Sequence, residues 1–224
     1  MLDIDKKVFI EKSIDTLDKI LETLRNLPLL KLGELKSEST ALIIVDMINA
    51  FARQGCLKSP RVEALIPGIA GLLSLCKKQG IPVIAFGDCH TKDSPEFETY
   101  PEHGLAETAE SEMVDELKKI GGYTLIPKNS TNGFLEEKFQ TWLEEHSHLT
   151  TFIVVGDCTD ICVEQFAKTL KAFFNMLNKR IRVVVPADAV DTFDLGAHYA
   201  ELMNVMALFG MMGGGVEVVR TIEG

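Results

Sequence analysis

From residue 41 onward, short apolar runs alternate with longer segments in which apolar residues recur every three or four positions. The uninterrupted runs are typical of strands covered on both faces, and the longer spacing is typical of amphipathic helices. The predicted strands are residues 41–45, 81–86, 123–126, 151–155, 181–185 and 216–219. The predicted helices are residues 65–79, 109–119, 134–145, 162–177 and 197–209.

Strands that alternate with helices require crossover connections, which join parallel strands and place helices on both faces of the sheet. We therefore expect an α/β protein with a three-layer, doubly wound fold around a central, mainly parallel six-stranded sheet. The pattern contains no internal repeat and no second core.

The first part of the chain has a different pattern. Residues 3–27 place apolar side chains at three- and four-residue steps between charged ones, which predicts an amphipathic helix. Pro28 and Gly33 mark the connector that follows. The predicted organisation is an N-terminal helix and connector over residues 1–36, then one domain over residues 37–224.

Charge and cysteine content narrow the functional classes. The 33 acidic and 23 basic residues argue against a nucleic-acid or anionic-membrane surface, which would repel the chain. The charged first residues predict neither a signal peptide nor a membrane span, so we expect a cytoplasmic protein. An odd number of cysteines, five, predicts reduced thiols.

Reactive side chains follow four of the predicted strands. They are Asp46, Asp88 with His90, Lys128, and the two-cysteine turn of Cys158 and Cys162. Ligands of open parallel sheets bind at the carboxyl ends of the strands, so these side chains predict a site, although inert polar residues also occur there. No strand is followed by the glycine motif of dinucleotide-binding proteins.

Cys162 falls at the predicted start of a helix. Unpaired N–H groups and the helix dipole favour a thiolate there, and the same N–H groups can bind an oxyanion. By position alone, Cys162 fits either a nucleophile or a buried packing residue. Cys158 is better interpreted as a packing residue. A disulfide between the two is within reach but disfavoured in a reducing compartment.

A thiol nucleophile needs a proton acceptor and a group that stabilises charge. Asp46 can take the thiol proton, and the Lys128 ammonium can keep that carboxylate ionised. The alternatives are a loop cap for Asp46 and a surface charge for Lys128.

Three segments together resemble the isochorismatase-like cysteine hydrolases: LIIVDMINAF, PKNSTNGF and GDCTDICVEQFA. The resemblance implies that Asp46 is the general base, Lys128 its charge partner and Cys162 the nucleophile. It further implies a cis peptide between Asp157 and Cys158, and an oxyanion hole formed by the backbone N–H groups of Cys158 and Cys162.

A fourth segment, GDCHTKDSPEFETYPEH, contains Asp88, His90, Glu96 and His103, whose donor atoms suit a divalent metal ion. The set resembles the metal site of nicotinamidases, which implies one bound ion: zinc first, with iron or manganese as alternatives. An acidic solvated loop with two incidental histidines is the structural alternative.

The same resemblance identifies two aromatic residues of the predicted substrate pocket and two positions that differ from the family pattern. Phe51 and Tyr100 match positions that line the ring-binding pocket. Glu96 stands where many nicotinamidases have histidine, and Ala50 where relatives commonly have an acidic residue.

The resemblance implies a homo-oligomeric amidohydrolase of pyridine nucleotide salvage, which converts nicotinamide to nicotinate and ammonia through a cysteine thioester. Three alternatives stay open: another small-amide hydrolase of the family, a metal-activated water with Cys162 passive, and a non-catalytic binder that docks through residues 3–27. His146, His148 and His198 lie outside the predicted metal set and are interpreted as structural or surface residues.

Overall fold

The computed structural model of the protein describes residues 3–224 and contains a central sheet with helices on both faces. The strands are β1 (Leu29–Lys31), β2 (Thr40–Val45), β3 (Val83–Asp88), β4 (Thr124–Lys128), β5 (Thr151–Gly156), β6 (Arg182–Pro186), β7 (Glu217–Val219) and β8 (Thr221–Glu223). The α-helices are α1 (Lys6–Arg25), α2 (Asn49–Ala52), α3 (Pro60–Lys78), α4 (Asp115–Ile120), α5 (Glu137–Glu145), α6 (Glu164–Met176) and α7 (Ala200–Gly213).

The central sheet has the strand order β4-β3-β2-β5-β6-β7, and every neighbouring pair is parallel. This confirms the predicted six-stranded, doubly wound fold, with each strand within two residues of its predicted bounds. The apolar runs are continuous because both faces are covered, and all six residues of β2 are buried. Leu42 and Ile44 pack in the core that contains α3, while Ile43 and Val45 pack in the core that contains α5 and α6.

The predicted helix over residues 109–119 is wrong in its first half. Met113 forms a bridge with Ile48, and the N–H of Val114 donates to the carbonyl of Met47. This extended segment buries Met113 and Val114 against the loop after β2, so only α4 remains helical. Tertiary pairing therefore overrides the local helical spacing.

Helix α3 begins five residues before its predicted start. The Ser59 side chain accepts a hydrogen bond from the N–H of Arg61, and Pro60 occupies the first helical position, where its missing N–H is not needed. The small sheet formed by β1 and β8 was not predicted, because strands of three residues leave no usable pattern.

Helix α1 confirms the predicted N-terminal helix, with Asp5 as its N-cap. Within α1 only Ile20 is buried, and the helix contacts α7. The division into residues 1–36 and 37–224 stays a prediction, and residues 1 and 2 of that first segment lie outside the described residues. In the described part of the chain, no helix is long and apolar enough to span a membrane.

Candidate active site

The register of the sheet brings the predicted reactive residues to one edge. Val45 aligns with Phe86 on one side and with Gly156 on the other, so Asp46 follows β2 at the level where β5 ends. Asp88 and Lys128 are direct partners on β3 and β4. The carboxyl ends of four neighbouring strands therefore form one cleft.

Lys128 is the centre of this cleft. Its side chain is fully buried, and its Nζ lies 2.8 Å from Asp46 Oδ2 and 3.7 Å from the Cys162 sulfur. The ammonium also donates to Asp88 and, at 3.1 Å, to the carbonyl of Ser130. The structure thus brings Asp46 and Cys162 to the same buried ammonium.

The carboxylates determine the charge state of Lys128. Burial disfavours its ammonium, but Asp46 and Asp88 outweigh burial and raise the pKa of Lys128 well above its usual range. Burial also opposes ionisation of Asp88, yet Lys128 and the two imidazoles of His103 and His90 hold the pKa of Asp88 well below its usual range. Lys128 and Asp88 are therefore a buried ion pair.

Asp46 differs from Asp88 in its titration. Burial, followed by repulsion from Asp88, raises the pKa of Asp46 to about 6, although the ammonium of Lys128 acts in the opposite direction. Asp46 also has a left-handed backbone, with φ of 55°. Aspartate tolerates this conformation better than most residues, and such conformations concentrate at functional sites.

Cys162 is buried in a π-helical turn, Thr159–Val163, and α6 begins two residues later than the predicted helix. Burial raises the pKa of the Cys162 thiol well above its usual range, and Lys128 only partly offsets this. Cys162 therefore rests as a thiol, contrary to the expectation from the helix dipole alone. All five cysteines are free thiols.

The backbone before Cys162 approaches the neighbouring strand closely. Gly156 has φ of 118°, and a Cβ there would lie 1.9 Å from the carbonyl oxygen of Val45, so only glycine fits. The peptide bond between Asp157 and Cys158 is cis, as the resemblance implied. Among the described residues, no acceptor pairs with the N–H of Cys158, which leaves this donor available.

The predicted metal ligands also converge. Asp88, His90, Glu96 and His103 each offer one ligand atom, and these atoms lie within 4.8 Å of one another. His90 Nε2 is 3.6 Å from Asp88 Oδ1, and His103 Nε2 is 3.5 Å from Asp88 Oδ2. Glu96 Oε1 lies 3.8 Å from His90 Nε2.

The donors of this cluster fit a divalent cation. Asn129 Oδ1 accepts from His90 Nδ1 at 3.0 Å, and the carbonyl of Pro101 accepts from His103 Nδ1 at 2.8 Å. Each imidazole then points its Nε2 into the cluster, as in protein metal sites. Within residues 3–224, the buried Nε2 of His90 has no hydrogen-bond partner, which a metal ion would supply.

One cavity joins the two groups of residues. It is bordered by the Cys162 thiol and by Asp88, Glu96 and His103 of the metal cluster. The lining residues are Phe51, Leu57, Asp88, Glu96, Tyr100, His103, Thr131, Cys158, Ile161, Cys162 and Phe193. Phe51 and Tyr100 were predicted from the resemblance.

Sequence reasoning missed several residues of this cavity. Phe193 and Leu57 lie in loops without a recognisable motif. His198, interpreted as a structural or surface residue, does not line the cavity but stacks on Phe193. Asn129, which orients His90, directly follows Lys128, so the strand-end signal that found Lys128 could have found it.

Comparison with known proteins identifies relatives of this chain. The sequence profile described as the Isochorismatase domain matches residues 40–215. Nicotinamidase 1 of Arabidopsis thaliana is 32% identical over 217 residues, which cover 84% of this chain and 88% of that protein. Ureidoacrylate amidohydrolase RutB of Pseudomonas savastanoi pv. phaseolicola is 28% identical over 206 residues, which cover 79% of this chain and 80% of that protein.

Among solved structures, the pyrazinamidase of Pyrococcus horikoshii in complex with zinc superposes with a TM-score of 0.66. It is 23% identical, and the match covers 81% of this chain and 99% of that chain. At that identity the likeness supports the fold alone.

The fold and the side chains at its strand ends define a doubly wound α/β protein with one cleft at the carboxyl ends of its strands. The matched profile and the relatives show that the chain belongs to the isochorismatase-like hydrolase family.

Metal binding is the first prediction from this geometry. We expect the purified protein to hold about one divalent ion per chain, and His90→Ala to lose at least about 90% of it, because one nitrogen donor is removed. Elemental analysis by mass spectrometry measures this. His148→Ala, an exposed histidine outside the cluster, is the control, and equal metal content in both variants would contradict the site.

The titration of Asp46 gives the second prediction. Asp46 must be ionised to accept a proton, so kcat/KM should fall as the pH drops below about 6. A cation at the neighbouring cluster would offset the repulsion from Asp88 and lower the pKa of Asp46. The acidic limb of the pH–rate profile would then move to lower pH. A pH profile of the metal-loaded enzyme measures the limb, and a midpoint clearly above 6 would contradict the assignment.

Proposed function

We propose that the protein is a nicotinamidase, which hydrolyses nicotinamide to nicotinate and ammonia. One observation carries the proposal: the Cys162 thiol and the Asp88, His90, Glu96 and His103 cluster flank a single cavity. An aromatic carboxamide with a ring nitrogen presents one group to each side. The 32% identity to a plant nicotinamidase supports the same substrate.

The first half of the reaction is acyl transfer to sulfur. Asp46 takes the proton of the Cys162 thiol, and the sulfur forms a bond to the carboxamide carbon. The N–H groups of Cys158 and Cys162 stabilise the oxyanion. The C–N bond then breaks, and ammonia leaves with the proton that Asp46 received.

The second half is hydrolysis of the thioester. Asp46 accepts a proton from water as the water attacks the acyl carbon, and the Cys162 sulfur leaves and regains its proton. Lys128 remains protonated throughout, because the two carboxylates keep its pKa high. Its positive charge stabilises the thiolate that forms transiently at Cys162.

The metal ligands have a separate role in this proposal. Asp88, His90, Glu96 and His103 would hold a divalent ion that binds the ring nitrogen and so fixes the carboxamide over Cys162. Zinc is our first choice, since a carboxylate and imidazole donor set suits it and a zinc complex is known for a pyrazinamidase of the same fold.

A ureidoacrylate-type amide is the second candidate substrate. It is favoured by the relatives named ureidoacrylate amidohydrolase, of which one is 28% identical to this chain. Such a substrate has no pyridine nitrogen, so its hydrolysis would not need the metal cluster. Activity on ureidoacrylate that survives chelation would favour this candidate.

The third prediction tests the proposed chemistry directly. We expect the enzyme to release ammonia from nicotinamide, and Cys162→Ala to lower kcat at least about a thousandfold, because the nucleophile is lost. Cys158→Ala is the matched control, since its sulfur is not needed. It should keep kcat within about tenfold. A Cys162→Ala variant with the wild-type rate would refute the covalent mechanism.

Three finer statements remain proposals. A cytoplasmic role in pyridine nucleotide salvage follows if nicotinamide is the substrate. A homo-oligomer is also proposed, and light scattering that gives the single-chain mass of 24.8 kDa would contradict it.

A further inference from the structure

The loop between β6 and α7, residues 187–199, contributes an aromatic wall that the proposed chemistry does not use. Phe193 in this loop is half-buried and lines the cavity that contains Cys162. In the strand order, β2 and β5 separate β6 from β3, which carries Asp88. Phe193 therefore reaches the cavity from a loop that follows β6, and Asp88 reaches it from β3.

His198 holds Phe193 in two ways. The two rings are stacked, with centroids 4.2 Å apart and planes within 9°. The Nδ1–H of His198 also donates to the carbonyl oxygen of Phe193 at 2.8 Å. Side chain and backbone of Phe193 are thus fixed by one imidazole, which leaves the phenyl ring little freedom to leave the cavity.

The same imidazole is tied to the turn that carries the thiol. His198 Nε2 lies 2.7 Å from Oδ2 of Asp160, which is two residues before Cys162. Both ring nitrogens face oxygen acceptors, so the imidazole donates twice, and the bond to the carboxylate is charge-assisted. Phe193, His198 and Asp160 form a chain of contacts from the cavity wall to the nucleophile turn.

A second set of contacts fixes the start of the loop. Asp191 Oδ1 accepts from Arg61 on α3 at 3.0 Å and from Asn204 on α7 at 2.7 Å. The carbonyl of Asp191 accepts from the N–H of Thr159 at 3.0 Å. Phe193 therefore lies between two anchored points, and its ring is a rigid wall.

We propose that Phe193 is a specificity-determining residue that selects small planar aromatic amides, and that His198 and Asp160 are the positioning residues that hold it. A rigid phenyl face gains most from a flat ring in edge or offset contact, and it excludes bulkier acyl groups. The choice of nicotinamide as the probe rests on the proposed function.

The first experiment removes the wall. Phe193→Ala should raise KM for nicotinamide about tenfold and leave kcat within about threefold, because the ring contact is made in both the ground state and the transition state. Phe193→Leu, which keeps bulk and folds more readily, should change KM in the same direction by less. Phe209→Ala, an exposed phenylalanine on α7, is the control and should change neither constant.

The second experiment separates positioning from general structure. His198→Phe keeps an aromatic ring but loses both donors, and Asp160→Asn removes the charge of the acceptor. Both should raise KM rather than lower kcat, and neither should add much to Phe193→Ala in a double variant. His148→Phe is the matched histidine control. A loss of kcat alone, or additive effects, would overturn the positioning role.

A third measurement does not depend on the substrate. Cys162 is alkylated with iodoacetamide and with the bulkier N-phenylmaleimide, and the modified peptide is quantified by mass spectrometry. Phe193→Ala should raise the maleimide rate relative to the iodoacetamide rate at least about fivefold, because access to the thiol is widened. An unchanged ratio of the two alkylation rates would contradict the proposal that Phe193 limits access to the cavity, even if nicotinamide is hydrolysed. A wild-type enzyme that does not hydrolyse nicotinamide would refute the proposed function. The ratio of alkylation rates would still test whether Phe193 forms a wall of the cavity.

Discussion

The rest of the site depends on one buried positive charge, the ammonium of Lys128. A lone ammonium in this position would be too costly, so it persists only because Asp46 and Asp88 are ionised beside it. Lys128 thereby joins the thiol side of the cleft to the metal side, since its ammonium lies near the Cys162 sulfur and also pairs with Asp88 of the metal cluster. Removal of Lys128 would leave Asp46 and Asp88 as two buried carboxylates without a positive partner.

The electrostatic balance of the cleft favours a cation and a neutral substrate. Asp46, Asp88 and Glu96 carry more negative charge than Lys128 neutralises, and burial raises the pKa of Asp157 well above its usual range, so Asp157 adds none. A divalent ion would relieve this excess. The same excess opposes an early thiolate at Cys162, so the thiol is deprotonated only as it attacks. A buried base with a pKa of about 6 next to a buried thiol suits such a concerted transfer.

Members of this family share the sheet and its strand ends. The residues that line the cavity therefore determine which substrate is bound. In this chain the walls come from the segments that follow the strands: Phe51 in α2 after β2, Tyr100 after β3 and Phe193 after β6. Loops can change without disturbing the sheet, while the ion pair of Lys128 and the turn of Cys162 depend on strand register. This division explains how one fold can serve relatives named for nicotinamide and for ureidoacrylate.

The sequence by itself determined the elements whose signals are local and strong. Six apolar runs predicted the central strands within two residues, because the inner strands β2, β3 and β5 are buried on both faces. The residues after those strands, together with the family resemblance, predicted the cleft and its metal cluster. Tertiary structure decided what depends on contacts between distant segments. Met113 and Val114 are extended because they pair with the loop after β2. Burial of the Cys162 thiol outweighs the effect of the nearby helix start and keeps the thiol protonated. Phe193 enters the cavity because His198 and Asp160 hold its loop. Burial and long-range pairing are properties of the folded chain, and no local pattern of residues encodes them.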